Sequence, residues 1–317
     1  MMNVNESLKH GAKAGLQTSW TLGKVIFPVT LFVSLLQHTP LLDLLIDLIT
    51  PIMGVFGLRG DAAIPLVLGN LLNLYAAIGA ILTLELTVKE VFILAVMLSF
   101  SHNLIIESTV ASKVGIKMWI ILLVRIGLAC VSAIIINIVW QGGEKQAQYG
   151  LIPQSDVKPS NWFEIIMDGL EKASFGILQL VVIVVPLMIV IQFMKDLGWL
   201  QTFSRWLSPF TRAIGMRENT SMTLVAGLTI GLAYGAGVMI QAVKEDGVSN
   251  RDLTLAFIFL VSCHAVVEDT LIFVPLGIPV LPLLIIRLVT AIVLTMIVGF
   301  IWKQEGHPAR KGAAYEN

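Results

Sequence analysis

Charge is what this sequence has least of. Of 317 residues, 13% are charged, about half the share usual for a water-soluble domain, while 56% are hydrophobic and the mean hydropathy is +0.85. So few solvated side chains exclude a soluble globule and predict a multi-pass protein of the inner (cytoplasmic) membrane, with the lipid bilayer as its first partner. An excess of one sign is also missing, because 21 basic side chains balance 21 acidic ones. That excludes a basic nucleic-acid face and hence a nucleic-acid partner. Cysteine is scarce: Cys130 and Cys263 stand alone in apolar surroundings and offer neither a disulfide framework nor a CxxC metal motif. Neither GxSxG nor HExxH occurs, and no nucleophile is paired with an obvious base, so no enzyme activity and no cofactor are expected. A small-residue cleavage site is absent near the first apolar run, which is therefore expected to be retained as a span.

What is present in quantity is long apolar sequence. Runs at 62–84, 118–140, 176–194, 220–243 and 281–302, and 23–37 with its flanks, approach or reach the ~20 residues that cross a bilayer. Two more runs, 91–112 and 253–275, are long enough but carry polar interruptions.

The chain also reads as written twice. A shift of 158 places superposes Gly11 on Gly169, Pro28 on Pro186, Pro51 on Pro209, Gly57 on Gly215, Arg59 on Arg217, Gly69 on Gly227 and Gly79 on Gly237. After a three-residue insertion around 244–250 the shift of 161 pairs Ser101 with Ser262, Glu107 with Glu268 and Thr109 with Thr270; one further residue pairs Arg125 with Arg287 and Trp140 with Trp302. The predicted organisation is a first repeat at 1–140, a polar linker at 141–159, a second repeat at 160–302 and a tail at 303–317.

Cytoplasmic loops collect Lys and Arg, which orients the halves. Residues 38–61 hold Asp43, Asp47 and Asp61 against Arg59, whereas 195–219 hold Lys195, Arg205, Arg212 and Arg217 against Asp196 and Glu218. Equivalent loops then fall on opposite sides. Lys9, Lys13 and Lys24 put the N-terminus in the cytoplasm, and Lys303, Arg310 and Lys311 do the same for the C-terminus. Each half must cross an odd number of times, so one apolar run per half enters and returns. The interrupted runs 91–112 and 253–275 are chosen, with arms of about 10 residues reaching roughly 15 Å, the bilayer midplane. Their tips would be Ser101, His102 and Asn103, and Ser262, Cys263 and His264. The expected fold is an all-α polytopic membrane protein of two inverted-topology repeats, each about three transmembrane helices plus a re-entrant helical hairpin.

Ionisable groups inside the membrane cost at least ~2.5 kcal/mol each, so a polar cluster present in duplicate points to function. "SHNLIIEST" (101–109) and "SCHAVVEDT" (262–270) would be two walls of one midplane site. Asn103 to Glu107 and His264 to Glu268 are i, i+4 pairs sharing a helix face. Glu107 and Glu268 could accept solute hydroxyls or amines, ligate a cation or carry a proton; the plain structural alternative pairs each with buried Arg125 or Arg287. Thr109 and Thr270 are expected to bond backbone or a neighbouring helix, and Ser101 and Ser262 complete the two motifs. His102, Cys263, His264, Glu107, Glu268 and Asp269 form a possible metal set without any close-set ligand motif. His264 is a candidate proton carrier. In "GNLLNLYAAIGA" (69–80), Asn70, Asn73 and Tyr75 add hydrogen-bonding capacity. The glycines there and in the matching 227–238, Gly231 and Gly235 among them, permit close packing or a helix break. Residues 5–18 and 161–175 are expected to lie at the interface as amphipathic anchors.

These motifs resemble the Gate, or nucleoside recognition, domain family. The resemblance rests on "GAKAG" at 11–15 before a Pro-containing span, "PIMGVFGLRGD" before a Gly/Asn-rich helix, and the S-x5-E-x-T pattern in each half. Relatives in that family include the spore maturation proteins A and B, the membrane part of the ferrous iron transporter B and the concentrative nucleoside transporters. The resemblance implies a transporter-like core with paired gates. No GxxxxGK[ST] phosphate loop occurs, so the GTPase part of the iron transporter is not encoded here. The resulting expectation is a permease moving a small polar solute through a midplane site. A divalent-metal permease and a non-transporting scaffold are the alternatives, and a homo-oligomer or a partner membrane protein is a possible assembly.

Overall fold

In the computed structural model the described residues are 4–302 except 37, 114, 151–160, 233–236, 238 and 241–246. The expected tail 303–317, Gly235 and the 151–159 part of the linker lie outside them. Among the described residues the regular structure is helical, apart from one isolated antiparallel bridge between Thr87 and Gln146.

The first half runs α1 (Val4–Leu36), α2 (Pro40–Val55), α3 (Ala63–Leu71), α4 (Leu74–Ile81), α5 (Val88–Ser101), α6 (Leu104–Lys113) and α7 (Met118–Val139). The second runs α8 (Trp162–Asp196), α9 (Trp199–Ala213), α10 (Ser221–Ile230), α11 (Asn250–Ser262), α12 (Val266–Leu271) and α13 (Val280–Ile301). Local chemistry sets the boundaries. Thr87 and Glu90 form a reciprocal capping box that starts α5, and Ser249 caps α11 by accepting from the Asp252 amide. Gly57 and Gly215, both at positive φ, close α2 and α9.

Among the described residues, six helical stretches are long and apolar enough to cross a membrane: 4–36, 88–113, 118–139, 162–194, 250–271 and 280–301. This corrects the placement of the hairpins. Residues 91–112 and 253–275 do not double back at their polar motifs; α5 with α6, and α11 with α12, run on as interrupted single spans. The antiparallel α7 accompanies both parts of the first span: Asn137 accepts from Lys89 at the start of α5, Arg125 reaches carbonyls 100 and 102 at its end, and the same Arg125 pairs with Glu107 on α6. Residues 88–113 thus form one apolar span along α7.

The run that does fold back is 62–84, expected to cross. It divides into α3 and α4, of 9 and 8 residues, about 13 Å each and too short to span. They lie against one another: a Cβ on Gly69 would stand 2.9 Å from that of Ala77. Asn73 makes the turn by capping α4, accepting from the Ala76 amide at 2.9 Å. In the second half α10 stops at Gly231, φ +88°, and part of the segment between it and α11 lies outside the described residues.

Nor are 5–18 and 161–175 separate interfacial anchors, for 4–36 and 162–196 are continuous helices of 33 and 35 residues. Their polar ends are used in packing. α1 and α8 run antiparallel along most of their length: Ser7 donates to Asp196 at 2.6 Å, Gly11 meets Ile189, Gly15 meets Val185, Gly23 meets Ile177 and Gly169 meets Leu31 and Ser34. A Cβ at Gly11 or Gly15 would stand 2.6 or 2.7 Å from the facing Cα, so only glycine allows this approach. Close backbone contact through small residues is how helices associate where lipid supplies no hydrophobic drive.

The six spans are not equally enclosed. About 78% of the α5–α6 and α11–α12 windows is buried, against 22–39% for the other four. The interrupted spans are thus the inner pair, with α7 and α13 packed on both and the remaining spans facing outward. Polar residues on α6 and α12 therefore meet protein rather than lipid.

Candidate functional site

Each inner span breaks at its middle by the same device. α5 ends at Ser101, Asn103 adopts φ +51°, and α6 begins at Leu104; α11 ends at Ser262, Ala265 adopts φ +41°, and α12 begins at Val266. Left-handed backbone is costly for a residue with a Cβ, about 1–2 kcal/mol, and alanine has no side chain to offset it. What holds it is hydrogen bonding across helices. The Asn103 amide donates to the Gly69 carbonyl at 2.7 Å and the Ala265 amide to the Gly227 carbonyl at 3.0 Å. Added Cβ atoms on those glycines would come within 2.3 and 2.5 Å of Leu98 and Leu260, so the matching glycines are what let the neighbouring helix reach the break.

The carbonyls released by the breaks are taken up by two fully buried arginines. Arg125 donates from Nε to the Phe100 carbonyl at 2.8 Å and from Nη2 to the His102 carbonyl; Arg287 donates from Nη2 to the His264 carbonyl at 2.7 Å. Each also neutralises an acid, Arg125 with Glu107 and Arg287 with Asp269, both at 2.8 Å. The acid matched to Glu107 in this geometry is Asp269, not Glu268. Likewise His102 corresponds to His264 rather than to Cys263, because both rings donate from Nδ1 to the carbonyl four residues earlier, at 2.7 and 2.8 Å. The shift between halves is 162 at the motifs, one more than the sequence match of Glu107 with Glu268 gave.

Glu268 therefore stands where the first half has Ile106. Its carboxylate accepts from the hydroxyl of Tyr75, beside the α3–α4 turn, and so joins one half to the other. Glu107 makes a second bridge, its Oε2 lying 3.3 Å from His264 Nε2. The two imidazoles face each other with centroids 5.2 Å apart.

Between the breaks lies a cavity of about 330 Å³, at the small end of ligand pockets. It is lined by His102, Asn103, Glu107, His264, Glu268 and Asp269, by Asn73 and Tyr75, and by Thr21, Leu22 and Val25 of α1. Six of the candidate site residues are not on its wall. Ser101, Thr109, Ser262 and Thr270 donate to carbonyls of their own helices, at 2.9, 2.8, 2.8 and 2.6 Å, as hydroxyls in apolar helices commonly do. Cys263 is buried in the apolar core around α11, and Asn70 lies on α3 away from the lining. The α1 contribution carried no motif; only its packing against the hairpin brings Thr21 and Val25 to the cavity.

A family model described as nucleoside recognition, Gate, matches residues 19–117 and 177–289, two-thirds of the chain. The chain belongs to the Gate family. It is 69% identical over 294 residues, 93% of this chain and 94% of the other, to the "Uncharacterized membrane protein YvoD" of Bacillus subtilis (strain 168). No solved structure matches. The two matched Gate stretches begin 158 residues apart, and each contains one break and one histidine turned inward; Arg287 lies within the second, and Arg125 follows just after the first. This Gate protein is a membrane protein in which polar residues from both halves line one internal cavity.

Proposed function

We propose that this Gate protein is a carrier that moves a small polar solute through the cavity where its two halves meet, and that those halves are inverted copies of one unit. The observation that carries the reading is the cavity itself, walled by the midspan breaks of both halves, where carboxylates, imidazoles and an amide stand among lipid-type sequence. Inversion is supported by reciprocal contacts: α1 and α8 are equivalent in the repeat, run antiparallel, and place Gly11 on Ile189 where Gly169 meets Leu31. Helix breaks at the bilayer midplane, contributed by both repeats, are the arrangement by which inverted-repeat transporters hold a solute. The family description makes nucleosides and bases the first solutes to test.

Glu268 and Tyr75 form the natural latch, since a solute hydroxyl or amine entering the cavity competes for the same carboxylate. Purified protein in liposomes should take up its solute, and Glu268→Gln should abolish uptake while the fold persists. A protein acting only as a scaffold would keep its cellular phenotype with that substitution, and this result would refute the carrier. Reporter fusions at both ends should read cytoplasmic and a tag in the linker external.

A further inference from the structure

The arrangement of hydrogen-bond donors around the paired histidines is incomplete in a specific way. A carbonyl oxygen only accepts, so the contacts of His102 Nδ1 to Leu98 and His264 Nδ1 to Leu260 fix the ring protons on Nδ1. In the neutral ring each Nε2 presents a lone pair to the interior. The nearest charged atoms there are carboxylate oxygens: Glu107 Oε1 at 3.5 Å from His102, and Glu107 Oε2 and Asp269 Oδ2 at 3.3 and 3.7 Å from His264. With neutral rings these are acceptors facing acceptors, a mismatch that a second ring proton or a bound cation removes. His264 Nε2 is without a hydrogen-bond partner on a residue only 1% exposed.

We infer that His102, His264 and Asp269, with Glu107 beside them, bind a divalent first-row transition-metal ion. The candidate ligand atoms of the first three lie within 4.8 Å of one another. Bonds of ~2.1 Å need ligand atoms roughly 3.3 Å apart, a contraction that small side-chain rotations provide. Two imidazole nitrogens and a carboxylate suit a borderline cation, whereas calcium and magnesium prefer oxygen alone. The Nδ1 bonds to carbonyls are the outer-shell contacts that orient metal-binding imidazoles. Arg125 and Arg287 offset Glu107 and Asp269, which leaves Glu268, bound to a neutral phenol, as the one further carboxylate to set against part of the ion's charge. The Asp269 oxygen facing His264, Oδ2, is the one Arg287 holds, so to ligate the ion Asp269 would turn its Oδ1 toward the imidazoles.

The role of the ion as cargo or coupling partner rests on the carrier reading, but its occupancy is measurable without transport. Full-length protein in detergent should bind one Co²⁺ per chain with the visible absorption of a nitrogen- and oxygen-ligated site, displaced by Zn²⁺ and not by Mg²⁺. His102→Gln and His264→Gln should each weaken Co²⁺ binding by more than about tenfold with the helical circular dichroism unchanged. Should either variant fail to fold, X-ray absorption of the Zn²⁺-loaded wild type decides: two imidazoles in the first shell support the site, and fewer overturn it. Binding that survives both substitutions, or wild type that binds nothing, also overturns it. Solute flux without metal binding would refute the site and keep the carrier; metal binding without any flux would do the reverse.

Discussion

The two breaks share a framework and differ in what they show the cavity. On both sides an arginine from the next span holds the broken end, a histidine donates backwards to its own helix, and a glycine carbonyl receives the amide at positive φ. The differences are Asn103 against Ala265, Glu107 against Asp269 and Ile106 against Glu268, and all six residues line the cavity. What is common builds the break. What differs makes the cavity asymmetric, with its further acid on the α12 wall.

The sharpest way to break the comparison is to remove an arginine. Arg125→Leu and Arg287→Leu each leave a buried carboxylate without its partner and carbonyls without a donor, and should cost about 3–5 kcal/mol or prevent folding, as read by thermal unfolding in detergent. Similar losses in both halves are expected; a loss in only one would show the frameworks to be unequal. Gly11→Leu drives a side chain into the Ile189 backbone and should cost about 1–3 kcal/mol by overpacking, with Gly169→Leu as the reciprocal probe at Leu31 and Ser34. A double-mutant cycle of Tyr75→Phe with Glu268→Gln should give a coupling of about 1.5–3 kcal/mol, the range for a hydrogen bond to a charged group. The same cycle with Ile106 in place of Glu268 should give none. The smallest effect separates Ala265 from Asn103. Ala265→Gly relieves left-handed strain and should stabilise by up to about 1 kcal/mol, while Asn103→Gly gains less because asparagine tolerates that conformation.

The helical membrane class, the position of both polar interruptions and the residue types gathered there were legible from composition and self-similarity. The direction of the chain at each interruption was not. A polar motif in a greasy run reads identically whether the helix reverses or resumes. Here it resumes because the glycine carbonyl and the arginine satisfy the break in place, while Asn73 and the short arms around it make the turn. The register at the second motif was misread for a different reason. Glu268 and Asp269 are adjacent, and matching glutamate to glutamate chose the wrong one. The arginines would have decided it, since Arg125 follows Glu107 by the same interval at which Arg287 follows Asp269. The place of Thr21 and Val25 on the cavity wall had no local signature at all, since it arises where separate helices meet.

α1 and α8 carry a consequence for motion. At 33 and 35 residues each is about 50 Å long, well beyond a hydrocarbon layer of about 30 Å. The pair therefore leans steeply or protrudes into both aqueous margins, cross-braced by glycine contacts and pinned at one end by Ser7 and Asp196. Because the glycine contacts are spread from Gly11 to Gly169 and do not meet at one crossing, the two rods form a single rib, and any displacement of one would carry the other with it, together with the α1 side of the cavity.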